Sequence, residues 1–238
     1  MAKKERLALI TGASRGLGRE IALGLAAAGY KIAVMARSRE KLNTLAHEIT
    51  EKTGKSVWEL PVDIRNQAEV VNSIQSVIDA EGPIDVLVNN AGLVISGGSE
   101  ISVEDFSAQI NVNLLGAFYA TKAVIAGMKE QQSGYVFNIA STSAKFVKSM
   151  RLGYGASKYG MLGMSEGFYH DLAKDKIKVT ALCPRYMPTE MSASASIENA
   201  DKIPLSDMVK TILYCLGLSP SVSIKEIVMD NTVVVATN

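Results

Sequence analysis

Along this chain, short runs of apolar residues alternate with longer stretches in which apolar residues recur every three or four positions. The short runs fall at 7–11, 32–35, 57–61, 86–89, 134–140, 179–183 and 226–229 and predict seven strands. Several are too apolar to have a wet face, Leu7-Ala8-Leu9-Ile10 among them, which is the pattern of strands covered by helices on both sides. The stretches of helical period fall at 17–28, 39–53, 66–80, 103–130, 154–174 and 205–217 and predict helices between the strands. Alternation from end to end predicts an α/β fold built on a doubly wound parallel sheet with helices on both faces. No repeat, low-complexity tract or linker interrupts it, so residues 1–238 are expected to form one domain. Residues 185–204 depart from the pattern. They are rich in Ser, Ala, Met and Pro, lack a period, and are longer than most connections in a compact domain, so they are expected to form a lid or substrate loop.

The first strand runs directly into Thr11-Gly12-Ala13-Ser14-Arg15-Gly16-Leu17-Gly18 and then into a helix. Glycines at such a junction let the chain turn sharply, let its backbone approach a pyrophosphate, and let helix and strand pack closely. The helix start offers free N–H groups to the anion. Three glycines also make a plain tight turn, but the strand before and the helix after favour a Rossmann-type dinucleotide site. A site that prefers NAD places an acid at the end of the second strand, to hold the ribose 2′-hydroxyl. Here Ala36-Arg37-Ser38 stands in its place. The Arg37 guanidinium suits a 2′-phosphate, with Arg15 approaching from the glycine loop, so the expected cofactor is NADP(H). The alternative is that both arginines are solvated loop residues.

Composition removes several other classes of function. Hydrophobic residues make up 47% and charged residues 21%, as in ordinary globular chains. With 25 Lys and Arg against 24 Asp and Glu, no net field recruits nucleic acid or an anionic membrane. The basic start is followed by an apolar run too short for a secretory signal, and no stretch approaches a membrane span, so a cytoplasmic setting is expected. Cys183 and Cys215 lie in apolar segments and are expected to be buried free thiols; neither they nor His47 and His170 have metal-ligand spacing, and no metal is expected.

The chemistry concentrates in the second half. Tyr154 and Lys158 stand four residues apart at the start of a helix, so both project from one face. A phenol is a poor base at neutral pH, and an adjacent ammonium favours the phenolate, which makes the pair an acid/base unit. Ser141 follows the fifth strand at the sheet edge where open α/β proteins bind ligands, and Ser143 is a weaker candidate for the same hydroxyl role. Asn89-Asn90-Ala91-Gly92 closes the fourth strand, where small residues and amides pass beside a bound cofactor. Asn113 lies inside the long predicted helix, where an amide points to a hydrogen-bonding role or a kink.

Together, Thr11-Gly-x-x-x-Gly16-x-Gly18, Asn89-Asn-Ala-Gly92, Asn113, Ser141 and Tyr154-x-x-x-Lys158 resemble the motifs of the classical short-chain dehydrogenase/reductase family, over nearly the whole chain. The resemblance implies that Tyr154 transfers the proton, that Lys158 lowers its pKa and holds the nicotinamide ribose, and that Ser141 polarises the carbonyl while Asn113 supports a water relay. It also implies that Asp63 meets the adenine ring and that Thr189, after Pro184, meets the nicotinamide carboxamide. The implied reaction is hydride transfer between NADP(H) and a small carbonyl or alcohol.

Two departures stand out. Arg185 replaces the glycine usual after the proline that Pro184 matches, and Val228-Met229-Asp230-Asn231-Thr232 replaces a Gly-rich ending common in 3-oxoacyl-carrier reductases of the family. If Arg185, Lys145, Lys148 and Arg151 converge on the site mouth, an anionic substrate such as an acyl-carrier protein is the alternative reading. A non-catalytic NADP(H)-binding regulator is the other. Ala156, Gly160, Gly163 and Gly167 near one helix face would let a second backbone approach, which, with the resemblance, leads to an expected homodimer or homotetramer.

Overall fold

The structure, a computed structural model, describes residues 5–193 and 195–236. Its strands are β1 (Leu7–Thr11), β2 (Lys31–Ala36), β3 (Val57–Pro61), β4 (Val86–Asn89), β5 (Gly134–Ile139), β6 (Ile177–Pro184) and β7 (Glu226–Met229). They form one sheet in the order β3-β2-β1-β4-β5-β6-β7, with every pairing parallel. The chain starts at the centre, winds outward to β3, then returns to β4 and winds outward to β7. The direction reverses between β1 and β4, and such a switch point leaves a crevice beyond the C-terminal strand ends.

The helices are α1 (Gly16–Ala27), α2 (Arg39–Thr53), α3 (Gln67–Glu81), α4 (Val103–Ile110), α5 (Gly116–Glu130), α6 (Leu152–Leu172), α7 (Leu205–Gly217) and the short α8 (Thr232–Val235). The pleat of β1 sorts its side chains into two cores. Ala8 and Ile10 meet Ile21 and Leu25 of α1, Leu42 of α2 and Ile212 of α7. Leu7 and Leu9 meet Ile74 and Val77 of α3 and Val124 and Met128 of α5. All five β1 residues are buried, which is why the strand shows no polar alternation.

The helix expected at 103–130 is divided in two. One π-helical turn, Asn111–Leu115, separates α4 from α5. A π turn admits an extra residue and re-aims the side chains around it. Here it carries Asn113, fully buried, whose amide Nδ2 donates to Leu93 O (2.8 Å) and Ser157 Oγ (2.9 Å) while Oδ1 accepts from Leu93 N–H (2.6 Å).

A chain of buried amides ties α5 and α6 to the sheet. Asn89 Nδ2 donates to Thr121 Oγ1 (2.9 Å) and Asn138 Oδ1 (2.8 Å). Asn138 Nδ2 donates to Ser165 Oγ (2.8 Å), which donates to Met161 O (2.7 Å). Removing the middle link strands groups on both sides, and an orphaned buried amide costs far more than one lost bond gains. Asn138→Ala is expected to lower stability by about 2–4 kcal/mol, read as a lower urea midpoint at unchanged slope; a loss within about 0.5 kcal/mol would mean that the network is not holding α6.

Candidate active site

At the end of β1, the N–H groups of Gly12 and Ala13 both donate to Met35 O (2.7 and 3.3 Å), which turns the chain out of the sheet. Gly12 has φ +66°, and a Cβ there would lie 2.7 Å from Ala91 Cα; a Cβ on Gly18 would lie 2.4 Å from Gly12 O and from Asn90 Nδ2. Neither position admits a side chain. Asn90 closes the arrangement, its amide donating to Thr11 O (3.0 Å) and Gly12 O (3.1 Å). Thr11 Oγ1 accepts from the N–H groups of Asn90 and Ala91, 3.1 Å each.

Helix α1 begins with no side-chain cap and no acidic residue in its first turn, so its leading N–H groups are left for an anion. The Leu17 side chain is turned into the core, which leaves its backbone for that role, while Ser14 and Gly16 are half-buried and Arg15 is exposed. Arg37 is exposed at the end of β2 with no hydrogen bond or ion pair among the described residues. A loop that excludes side chains, an uncapped helix start and an unpaired guanidinium fit a phosphorylated dinucleotide. Asp63 lies on the same side but is engaged by Arg65 (Nη2 to Oδ2 2.6 Å), which, with a smaller pull from Arg37, holds its carboxyl below the usual value.

Across the crevice, Tyr154 and Lys158 project from the first turns of α6. Ser157 Oγ donates to Tyr154 O (2.7 Å) and accepts from Asn113, so the π turn and the start of α6 are fastened together. Ser141, 8% exposed, follows β5; its Oγ accepts from Ser143 N–H (3.0 Å). The Ser141 hydroxyl lies beside the Tyr154 phenol and favours its ionised form. Lys158, 3% exposed, has its Nζ 5.7 Å from the Tyr154 ring centre and donates to Ile139 O (2.7 Å), with no carboxylate partner among the described residues.

Spacing alone predicts a Tyr154 pKa lowered by Lys158. In the structure, burial outweighs other influences and holds the phenol above its ordinary value, against opposite pulls from the Ser141 hydrogen bond and the Arg151 charge. Burial also brings the Lys158 ammonium down to about 8.

Residues 185–193 and 195–204 lie over this crevice. Thr189 Cγ2 is 3.4 Å from a Cβ built on Gly16, Glu190 pairs with Arg15, and Met191 Sδ lies 4.0 Å from Tyr154 Oη. Met191 Cε also stands 3.6 Å from a Cβ built on Gly92. Pro184 ends β6 and is buried. The four cations whose convergence would favour an anionic substrate do not all stand free at the mouth. Lys145 pairs with Glu226 (2.7 Å) and Arg185 with Asp230 (3.0 Å). Lys148 donates to Tyr186 Oη (3.2 Å), and Arg151 has no ion pair among the described residues.

Several contributors had little signal in the sequence. Gln109 is fully buried and its Oε1 accepts from Ile95 N–H (2.9 Å), which shapes the segment after Gly92. Glu190 and Met191 sit in an aperiodic loop, and only a polar residue inside an apolar run marks Asn138. Both cysteines are buried and free, as expected, and burial pushes the Cys183 thiol up to about 12. Gly163 and Gly167 face open space, but at Gly160 the same face is already covered, since a Cβ there would lie 2.8 Å from Leu114 Cδ2.

The buried ammonium makes a pH-dependent contribution to stability. Lys158 gives up its proton near pH 8 when folded and near 10.5 when unfolded. Between those values the unfolded chain binds more protons, so the folded state gains stability as pH rises. Lys158→Met removes this dependence. The stability difference is expected to move towards the wild type by roughly 2–3 kcal/mol between pH 7 and about 11 in urea unfolding, whereas a flat difference would mean an ordinary, hydrated ammonium.

Comparison with known proteins agrees with this geometry. The family model for short chain dehydrogenases matches residues 6–200. An uncharacterized oxidoreductase of Staphylococcus haemolyticus is 33% identical over 223 residues, 93% of this chain and 95% of that one. An alcohol dehydrogenase from the archaeon Thermococcus sibiricus, solved in complex with 5-hydroxy-NADP, superposes with a TM-score of 0.89 at 28% identity, covering 96% of this chain and 97% of that one. A betaketoacyl-[ACP] reductase from Bacteroides thetaiotaomicron superposes with a TM-score of 0.86 at 33% identity, covering 98% and 100%. With motifs, fold and relatives in agreement, this chain belongs to the short-chain dehydrogenase family of oxidoreductases.

Proposed function

We propose that the protein is an NADP(H)-dependent oxidoreductase of the carbonyl reductase or alcohol dehydrogenase type, with Tyr154 as general acid/base. The observation that most supports this is Lys158: an ammonium buried without a carboxylate partner among the described residues, one helical turn behind a phenol that lies beside Ser141. Such burial destabilises the fold and is found where a charge serves chemistry. When bound, the nicotinamide supplies or accepts the hydride. Tyr154 Oη gives its proton to the carbonyl oxygen, or takes it from the alcohol in the reverse direction. Ser141 Oγ holds that oxygen, and Lys158 stabilises the tyrosinate left behind. Asn113 has both amide hydrogens engaged, so a relayed water would be held by the second lone pair of Oδ1. A phenol held above its ordinary pKa is protonated at neutral pH, as the proton donor to a carbonyl has to be.

For the cofactor, the backbone at Gly12, Ser14, Gly16, Leu17 and Gly18 receives the pyrophosphate and Arg37 the 2′-phosphate. Arg15 joins it by exchanging Glu190 for phosphate. Asp63 faces the adenine; Asn90, Ala91 and Gly92 flank the ribose side, and Pro184 and Thr189 the nicotinamide. With Arg185 and Lys145 neutralised by Asp230 and Glu226 and Met191 against the phenol, small neutral carbonyl compounds fit better than an acyl-carrier substrate. Exposed Phe118 and Tyr159, with Gly163 and Gly167 opening on space, support a homodimer or homotetramer. A cytoplasmic setting accords with two free thiols.

The deciding experiment follows NADPH and NADH oxidation against a panel of ketones and aldehydes. Tyr154→Phe is expected to lower kcat by about 10²–10⁴-fold while the NADPH Kd stays within about threefold. Arg37→Ala is expected to raise the NADPH Kd by about 10–100-fold and leave that of NADH unchanged. Absence of any NADPH-induced fluorescence or thermal shift would sink the site, and tight binding without turnover on any carbonyl would favour the regulator reading.

A further inference from the structure

The two places where the sequence leaves its family's pattern, Arg185 and Asp230-Asn231, meet in space. Strand register brings them together, since Pro184 pairs with Met229 and the Arg185 N–H donates to Met229 O (2.9 Å). The Arg185 guanidinium then turns inward, donating to both carboxylate oxygens of Asp230 (3.1 and 3.0 Å), and lies 5.0 Å from the Phe146 ring centre. Its side chain is only 7% exposed. The cation that replaces a small residue is therefore a buried strut.

Asn231 sits next to that strut and is 2% exposed. Its Oδ1 accepts from Tyr186 N–H (3.0 Å), and its Nδ2 donates to Tyr186 O (3.1 Å) and to Asp201 O (2.9 Å). Tyr186 and Asp201 are the two feet of the substrate loop, and Ile203 N–H closes them further by donating to Tyr186 O (2.9 Å). One amide thus grips both feet, using an acceptor and two donors that no other side chain of its size offers. Inside the loop Lys202, 6% exposed, donates to Ser192 O (3.1 Å). At the far end the loop carries Met191 to Tyr154 and Gly92.

We infer that Asn231, backed by the Arg185–Asp230 pair, is a positioning residue that sets the substrate loop over Tyr154 and so governs substrate affinity. This rests on the reading of Tyr154 as the reacting group. The fastening itself touches neither the glycine loop nor Lys158, but the loop it sets carries Thr189 and Glu190 beside Gly16 and Arg15, so its loss should be felt most by the substrate and less by the dinucleotide. Asparagine is required in particular: an aspartate keeps the Tyr186 N–H bond but sets a carboxylate against two carbonyl oxygens.

The test uses Asn231→Ala, Asn231→Asp and the milder Asp230→Asn in the full chain. Three readouts are taken: hydrogen exchange of loop amides, NADPH titration by fluorescence, and kinetics with ethyl acetoacetate as a neutral carbonyl probe. Asn231→Ala and Asn231→Asp are expected to speed exchange across 186–193 and 195–203 by about 10–100-fold while β1 and α1 stay unchanged. The KM for the ester should rise about tenfold or more with kcat within about threefold and with the NADPH Kd rising by a clearly smaller factor than KM, and Asp230→Asn should give a smaller change in the same direction. Unchanged loop exchange overturns the inference. So does acceleration spread over the whole sheet, or a fall in kcat alone. If the wild type does not reduce the ester, that counts against the Tyr154 reading, and the exchange pattern still decides the fastening.

Discussion

The structure depends first on the close approach of two backbones at the switch point. Gly12 and Gly18 carry no side chains because Asn90-Ala91 and the Gly12 carbonyl occupy the space a Cβ would need. That contact brings the end of β1, the start of α1 and the end of β4 within hydrogen-bond reach, and Asn90 and Thr11 then lock them. An uncapped helix start stays aimed over the sheet edge only while this junction holds. The candidate chemical groups across the crevice are placed relative to it.

Opposite the glycine loop, the fold accepts several costs. A π turn interrupts a long helix, amides are buried in rows, and an ammonium is taken out of water with a backbone carbonyl for a partner. Each would be a defect in a purely structural core, where an apolar side chain packs as well without polar groups to satisfy. They cluster around one tyrosine. Asn113 joins the segment after β4 to α6, Asn138 joins β5 to α6, and Lys158 lies between them. The helix that presents Tyr154 is thereby fixed at three points along its inner face by directional bonds, which constrain its rotation and height more tightly than apolar contact does.

The sheet was legible because strands covered on both faces have to be apolar, and β1, β4 and β5 are nearly so throughout. The glycine loop and the Tyr154–Lys158 pair were legible because their spacing maps directly onto a turn and a helix face. The π turn was not, since apolar periodicity runs on through one extra residue with Asn113 as its only mark. Charge partners were not legible either. Arg185 finds Asp230 and Lys145 finds Glu226 only once β7 has paired with β6 in a particular register. Of four cations that read as a rim in sequence, two are neutralised by β7 and its following turn in three dimensions. The height of the Tyr154 pKa was hidden for the same reason, because burial is a property of the assembled crevice.

The attachment of the substrate loop to β7 and its following turn also has a temporal side. Asn231 follows Tyr186 by 45 residues, so a ribosome delivers the loop well before the amide that secures its feet. The glycine loop, β2 and β3 emerge earlier still, and β1, β2 and β3 pair with one another. Vectorial production therefore delivers the residues that shape the glycine loop before those that fasten the loop across the crevice.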